Sequence, residues 1–216
     1  MTYAIKEIFL SLQGEGLQCG KVSIFCRFSG CNLWNGLEKD RKTSACRFCD
    51  TDFIGTKGQN GGKYSSAQKL ADKIDEIWIK ETGTTTDKHI IFTGGEPLLQ
   101  LDSEILEEVK NRGFRTSLET NGSIRPPKNV LDLLDWICVS PKEEKLLLTQ
   151  GDELKFIYPQ QTLKPEHFEN LAFRHFVLQP MDNENQAKNT QEALSYCLKH
   201  PNWKLGLQVH KILRIE

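Results

Sequence analysis

The order of strand-like and helix-like segments is the feature that most restricts how this chain can fold. Short runs rich in β-branched and aromatic residues recur at 4–10, 22–28, 89–94, 114–120, 136–140, 153–159, 174–180 and 203–210. Apolar residues at helical spacing lie between some of them, at 65–80, 101–112 and 187–199. Strands that alternate with helices predict an α/β fold with a mostly parallel sheet, whose chemistry gathers at the carboxyl ends of the strands.

The predicted helices have defined ends and faces. Ser65 or Ser66 is expected to cap the first helix, and Gly113 to end the second. The segments 121–135 and 141–152 have turn chemistry and weak periodicity, so fewer helices than strands are expected. The predicted buried face of the third helix consists of Ala187, Ala193, Leu194, Cys197 and Leu198.

The bulk properties favour a single cytoplasmic domain that acts on a small molecule. A chain of 216 residues is long enough to bury one sizeable core, so 1–216 is predicted to be one domain. Lys and Arg (28) nearly balance Asp and Glu (29), which gives no general attraction to nucleic acid or to an anionic membrane. The N-terminal segment carries charge at Lys6 and Glu7, and no apolar run of about 18 residues is present to span a bilayer.

Seven cysteines are present, and three of them lie close together. The odd count and the lack of a secretory signal argue against a disulfide framework. Cys26 and Cys138 fall in apolar runs and are predicted to be buried hydrophobic residues. The group consists of Cys31, Cys46 and Cys49, which are separated by fourteen and then by two residues.

Three interpretations of this cysteine group follow from its chemistry. Thiolate is a soft ligand that selects zinc, copper(I) or iron–sulfur clusters. Structural zinc normally has four Cys or His ligands, and the nearest histidine is His89. On a four-iron cluster, three thiolates leave one iron without a protein ligand. The spacing alone therefore permits an iron–sulfur cluster, zinc with a distant fourth ligand, or three unrelated thiols.

An ordered series of motifs accompanies the cysteines. They are "LQGEG" (12–16), "FCRFSGCNLW" (25–34), "CDTDF" (49–53), "FTGGEPLLQ" (92–100), "ETNGS" (119–123), "VSPK" (139–142) and "QPMD" (179–182). In this combination the chain resembles the radical S-adenosylmethionine (SAM) superfamily and, within it, the 7-carboxy-7-deazaguanine synthase family of queuosine biosynthesis. The long first cysteine spacing is similar to one branch of that family.

Taken singly, the same motifs have ordinary structural explanations. Gly94 and Gly95 fit a tight turn in which Glu96 complements the N-terminus of the next helix. Asp50 to Asp52 fit a loop end or a helix cap, and Arg27 fits a strand residue whose charged end reaches solvent. The functional interpretation therefore depends on the whole series.

The resemblance implies an incomplete (β/α)6-type radical SAM partial barrel with reduced helix content and a cluster loop at 29–53. It implies a 4Fe-4S cluster on Cys31, Cys46 and Cys49, SAM on the open iron, and Mg²⁺ bound with Thr51. The implied SAM contacts are Phe48, Cys49, Asp50, Gly95, Ser140, Pro141, Lys142, Gln179, Pro180, Met181 and Asp182. The implied substrate contacts are Leu12, Gln13, Gly14, Arg27, Thr93, Glu119, His210 and Glu216, the last at a position where the family typically has proline.

The implied reaction is the radical ring contraction of 6-carboxy-5,6,7,8-tetrahydropterin to 7-carboxy-7-deazaguanine with release of ammonia. A 5′-deoxyadenosyl radical is expected to remove a hydrogen atom from the substrate and return it at the end. The implied partners are the pterin substrate, a reducing electron donor such as flavodoxin and a second copy in a homodimer, with no nucleic acid or membrane. The alternatives are a glycyl-radical activating enzyme and a zinc-stabilised binding module.

Overall fold

The structure, a computed structural model, describes residues 1–215. The strands are β1 (Tyr3–Leu12), β2 (Val22–Phe28), β3 (Gly62–Tyr64), β4 (His89–Gly94), β5 (Arg115–Thr120), β6 (Trp136–Val139), β7 (Gln150–Tyr158), β8 (Ala172–Pro180) and β9 (Trp203–Leu205). The α-helices are α1 (Ala67–Thr82), α2 (Ser103–Asn111), α3 (Lys128–Leu131), α4 (Gln186–Lys199) and α5 (Val209–Leu213). Among the residues described, no helix has both the length and the apolar character needed to cross a bilayer.

The chain divides into two compact units. The first consists of residues 1–11, 22–120 and 126–136, and the second of 12–21, 121–125 and 137 onward. The assignment of 1–216 to a single domain stays a prediction.

In the first unit the strand order is β3-β1-β2-β4-β5. β1 and β3 run antiparallel, whereas β4 runs parallel to both β2 and β5. Arg27 pairs in register with Thr93, and Phe28 with Gly94. The carboxyl ends of β2 and β4 therefore meet at one edge, as expected for parallel strands.

The two longest helices of the first unit confirm the predicted caps. The Ser66 hydroxyl accepts a hydrogen bond from the Lys69 amide at the start of α1. α2 ends at Asn111, and Gly113 follows it with a φ of +84°, in the left-handed region that favours glycine. The apolar residues predicted for both helices are buried: Ala67, Leu70, Ala71, Ile74, Ile77 and Trp78 in α1, with Leu101 before α2 and Ile105, Leu106 and Val109 within it.

In the second unit β6, β7, β8 and β9 follow one another in parallel. An aromatic group fills the core on these strands, with Phe156 against Phe168 and Trp203. Cys138 is buried as predicted, and so is Cys26 in the first unit.

The predicted face of α4 is largely wrong. Leu198 is 78% exposed and Leu194 is also exposed, whereas Asn189 and Ala193 are buried. The reason is a polar contact. The Asn189 side-chain amide donates to the Met181 carbonyl at 2.8 Å, so the helix face that carries Asn189 and Ala193 is turned inward. A buried hydrogen bond of this kind outweighs the local apolar pattern.

The final predicted strand, at 203–210, is also wrong in its second half. β9 ends at Leu205, and His210 lies in α5 instead of near a strand end. The Gly206 amide still donates to Leu178, but the Val209 amide donates to the Gly14 carbonyl at 2.8 Å, so the backbone has left the sheet. Segment 121–135 is helix-poor as expected, with only the four-residue α3.

Candidate functional site

The three grouped cysteines share one hydrophobic cluster in the first unit. Cys46 is 5% exposed and packs with Trp34 and Phe53, whose rings meet edge to face at 5.6 Å. Cys31 and Cys49 pack against the same cluster. Residues that are up to 18 positions apart are therefore brought together, as a common cofactor would require.

The segment that follows Cys31 contacts the Cys31 sulfur and lines a cavity. The Leu33 amide donates to Cys31 Sγ at 3.4 Å. Burial raises the pKa of the Cys31 thiol, and the amides of Leu33 and Trp34 partly oppose this by stabilising the thiolate. A cavity of about 430 Å³ opens here, lined by Cys31, Asn32, Leu33, Trp34, Asn35, Asp40, Thr43 and Ser44.

The glycine turn after β4 lies directly against the backbone that leads to Cys31. A Cβ at Gly95 would lie 2.1 Å from the Gly30 carbonyl oxygen and 2.8 Å from the Cys31 Cβ. Gly94 has a φ of +138°, and a Cβ there would lie 2.3 Å from the Phe28 carbonyl oxygen. Only glycine permits this approach, which keeps the turn and the first thiol in contact.

Glu96 is a buried residue that links two strand ends. Its carboxylate accepts from the Leu98 amide at 3.0 Å, so it caps the short helical turn after the glycines, as its structural explanation predicted. It also accepts from the Thr120 hydroxyl at 2.7 Å, at the end of β5. This second contact was not predicted from the sequence, although a fully buried carboxylate needs such partners.

Arg27 and its in-register neighbour Thr93 lie at the carboxyl ends of β2 and β4, with Glu119 one residue before the end of β5. The Arg27 Nε donates to Glu7 at 2.7 Å, and its guanidinium lies 6.0 Å from the Phe9 ring. Glu7 was not identified from sequence, and it now holds the orientation of a side chain predicted to contact substrate.

The residues around Thr51 are fixed through the neighbouring Asp52. Lys6 Nζ donates to Asp52 at 2.6 Å and to the Ile54 carbonyl at 3.1 Å, which ties the end of the cysteine segment to β1. Phe48, Cys49 and Thr51 are half-buried, whereas Asp50 is exposed. The roles of these four in SAM and Mg²⁺ binding stay predictions.

In the second unit, Gly14 and His210 lie against each other. A Cβ at Gly14 would lie 2.3 Å from His210 Nδ1, so the imidazole occupies the space that any side chain would need. Gln13 is buried, and its side-chain oxygen accepts from the Glu15 amide at 3.1 Å. Leu12 is half-buried beside it. Glu216 lies outside the described residues.

A partly buried ion pair, which was not predicted from the sequence, supports this loop. Lys155 Nζ donates to Glu15 at 2.7 Å, and the Gln208 amide donates to the other oxygen at 2.8 Å. Burial would raise the pKa of Glu15, but the Lys155 charge and these hydrogen bonds prevail and lower it to about 2. The available signal was Lys155 between the apolar residues Leu154 and Phe156 of β7.

The depressed pKa of Glu15 predicts acid sensitivity. Its contribution to the free energy of unfolding is present above its ordinary pKa of 4.5 and is lost as the pH falls through about 2. We expect wild-type apo-protein to lose about 3 kcal/mol more than Glu15→Gln between these pH values, because only the carboxylate titrates. Urea unfolding at a series of pH values measures the difference. Parallel curves for the two proteins would contradict the prediction.

The predicted SAM contacts of the second unit lie at or just after the carboxyl ends of β6 and β8. Lys142 donates to both oxygens of Ser140, and Pro141 is buried between them. Gln179 and Pro180 end β8, where Pro180 pairs in register with Tyr158. Met181 donates its amide to the Tyr158 carbonyl, and Asp182 pairs with Lys211 at 2.6 Å.

Gln179 is the fully buried member of this set. Its side-chain amide lies close enough to Glu15 to help lower the pKa of that carboxylate. Its role in SAM binding stays a prediction.

The cysteine group suits a cluster with several irons. Within residues 1–215, no three Cys, His, Asp or Glu side chains converge on one ion position. A cluster binds each thiolate at a different iron, so its ligands need not converge in that way. The nearest histidine for a zinc site is occupied elsewhere, because the two ring nitrogens of His89 bond to Ser23 at 2.7 Å and Ser117 at 2.8 Å.

Comparison with known proteins identifies the family. The radical SAM superfamily matches residues 43–140. The chain is 53% identical to the 7-carboxy-7-deazaguanine synthase of Bradyrhizobium diazoefficiens and 51% identical to that of Bordetella pertussis, in each case over 100% of both chains. The chain belongs to the 7-carboxy-7-deazaguanine synthase family. Its fold is also similar to the crystal structure of QueE from Escherichia coli, with a TM-score of 0.68 and 26% identity over 97% of this chain and 95% of that one.

Membership of this family confirms the resemblance, the radical SAM fold class and the enzymatic nature of the chain. A radical SAM member uses a 4Fe-4S cluster and SAM, which the triad and the glycine turn fit. The glycyl-radical activating enzyme and the zinc-stabilised binding module are not favoured.

Proposed function

We propose that the chain converts 6-carboxy-5,6,7,8-tetrahydropterin to 7-carboxy-7-deazaguanine with release of ammonia, in queuosine and related 7-deazapurine biosynthesis. The observation that carries the proposal is the packing of Gly95 on the Gly30–Cys31 backbone, which keeps a ligand-binding turn beside the thiols. Full-length relatives carry the name of this product.

When bound, the cluster and SAM would supply a carbon-centred radical for reversible hydrogen-atom abstraction. The chain's own residues bind and orient SAM and the substrate, and they exclude water from the site. In the first unit, Cys31, Cys46 and Cys49 hold the cluster, and Phe48, Asp50 and Gly95 contact SAM. Arg27, held by Glu7, directs its charge to the substrate carboxylate, with Thr93 and Glu119 at neighbouring strand ends.

In the second unit we assign SAM binding to Ser140, Pro141, Lys142 and to Gln179 through Asp182. The position of Gln179 and Pro180 at the carboxyl end of the parallel strand β8 supports this assignment. Leu12, Gln13 and Gly14 are assigned to the amide-like edge of the pterin, and His210 packs on Gly14 to fix that loop. Glu216 is proposed as a further substrate contact from its position alone.

The deciding experiment is anaerobic reconstitution with iron and sulfide, followed by incubation with SAM, Mg²⁺, a reductant and carboxytetrahydropterin. We expect the mass and absorbance of the deazaguanine product, with SAM regenerated. If iron loads and SAM is cleaved but no product forms, the substrate assignment is wrong. If the protein takes up no iron, the cofactor assignment is wrong.

We also propose that Thr51 binds Mg²⁺, an ion that prefers hard oxygen ligands. Thr51→Ala is expected to lower turnover about tenfold or more and to remove its dependence on Mg²⁺ concentration. A magnesium titration of the reconstituted enzyme measures both effects. The matched control is Thr43→Ala, an exposed threonine of the same segment. Retained magnesium dependence in Thr51→Ala would refute the assignment.

The proposed partners are a low-potential electron donor such as flavodoxin and a second copy of the chain. The exposed apolar side chains Ile212 (69%) and Leu213 (53%) on α5 support self-association. A cytoplasmic location agrees with seven free cysteines, including the three cluster ligands, which need a reducing compartment. Sedimentation equilibrium tests the dimer directly.

A further inference from the structure

The insertion between Cys31 and Cys46 contains one side chain that contacts both ends of the cysteine group. We propose that Arg41 is a positioning residue that holds the thiol triad in its binding arrangement before the cluster arrives. The inference rests on the proposed function for the identity of the cluster, but the arrangement of the thiols can be measured without it.

Arg41 first contacts the segment that follows Cys31. Its guanidinium carbon lies 4.0 Å from the centre of the Trp34 ring, within the range of a cation–π interaction. Trp34 in turn meets Phe53 edge to face and packs on Cys46, and its indole N–H donates to the Leu37 carbonyl at 3.2 Å. The Trp34 ring is therefore held between Arg41 on one side and Cys46 and Phe53 on the other.

The same guanidinium also reaches the other end of the group. Its Nη1 donates to the Cys49 carbonyl at 2.9 Å and to the Arg47 carbonyl at 3.3 Å. The Arg41 carbonyl lies 2.8 Å from the Ser44 hydroxyl, which is also 2.7 Å from the Cys46 carbonyl. The guanidinium thus contacts Cys49 and the neighbour of Cys46 directly, and the segment after Cys31 through Trp34.

Glu38 fixes the direction of this guanidinium. Arg41 Nε lies 2.9 and 2.8 Å from the two Glu38 carboxylate oxygens, within the six-residue helical turn Glu38–Thr43. The planar guanidinium can lie face-on against a ring while it donates within its own plane, whereas a lysine ammonium has no planar face to stack. This gives a physical use to the long spacing, since a short one would leave no room for Arg41.

The first test uses apo-protein without any metal. Under anaerobic conditions the rate of iodoacetamide labelling is measured for each cysteine by mass spectrometry. In Arg41→Ala we expect Cys46, which is buried, to label about tenfold faster, because local opening becomes easier. Lys42→Ala removes the same charge from the adjacent exposed residue and should leave the rate unchanged. Cys26, buried in β2, is the internal control and should not change.

The second test uses reconstituted protein and a conservative variant. Arg41→Ala is expected to release iron to a chelator about tenfold faster than wild type, with Arg41→Lys between the two, because lysine keeps the charge but not the fork. The proposal is overturned if Cys46 labels at the wild-type rate in Arg41→Ala, or if Cys26 accelerates equally. If wild type takes up no iron while Cys46 labelling still responds to Arg41, the cofactor assignment fails and the positioning role stands.

Discussion

Cys46→Ala is expected to retain almost no iron after reconstitution and to form no detectable product. Removing one of three thiolates leaves too few protein ligands for the cluster, and Cys46 is the most buried of them, so solvent cannot replace it. Iron and sulfide analysis, together with the product assay, measures the loss.

The matched control for this variant is Cys19→Ala, an exposed cysteine outside the group. It should keep full iron content and turnover. A Cys46→Ala protein that still loads four irons and makes product would show that the triad is not the ligand set.

Lys155→Met is expected to lower the free energy of unfolding by about 3 kcal/mol, because it leaves the Glu15 carboxylate, whose side chain is only 20% exposed, without its cation. Urea unfolding of the apo-protein measures the change. The control is Arg174→Ala, which removes another strand cation of the same unit whose side chain is 76% exposed, and which should cost about 1 kcal/mol or less.

The double variant Glu15→Gln/Lys155→Met tests whether the stability lost in Lys155→Met comes from the unpaired Glu15 charge. It should recover part of the stability, since no uncompensated charge remains. A Lys155→Met cost as small as that of Arg174→Ala would mean that the carboxylate finds another partner or water.

The motifs of the proposed cofactor site were predictable because each is local. A glycine pair after an apolar strand, or three cysteines within nineteen residues, needs no knowledge of the rest of the fold. The errors arose where a distant contact decided the outcome. Asn189 turned α4 through its bond to Met181, and the contact of Val209 with Gly14 ended the last strand early.

The sequence by itself determined the main alternation of strands and helices, the cysteine group and its family, because periodicity, caps and ligand spacing are properties of neighbouring residues. It did not indicate the short elements β3, α3 and α5. Only the tertiary structure decided which groups support the site. Glu15 and Lys155 are 140 positions apart, and Glu96 finds Thr120 across two strand ends. A charged group that is removed from water needs a partner close to it in space. That partner can lie anywhere in the sequence, so only the tertiary structure reveals it.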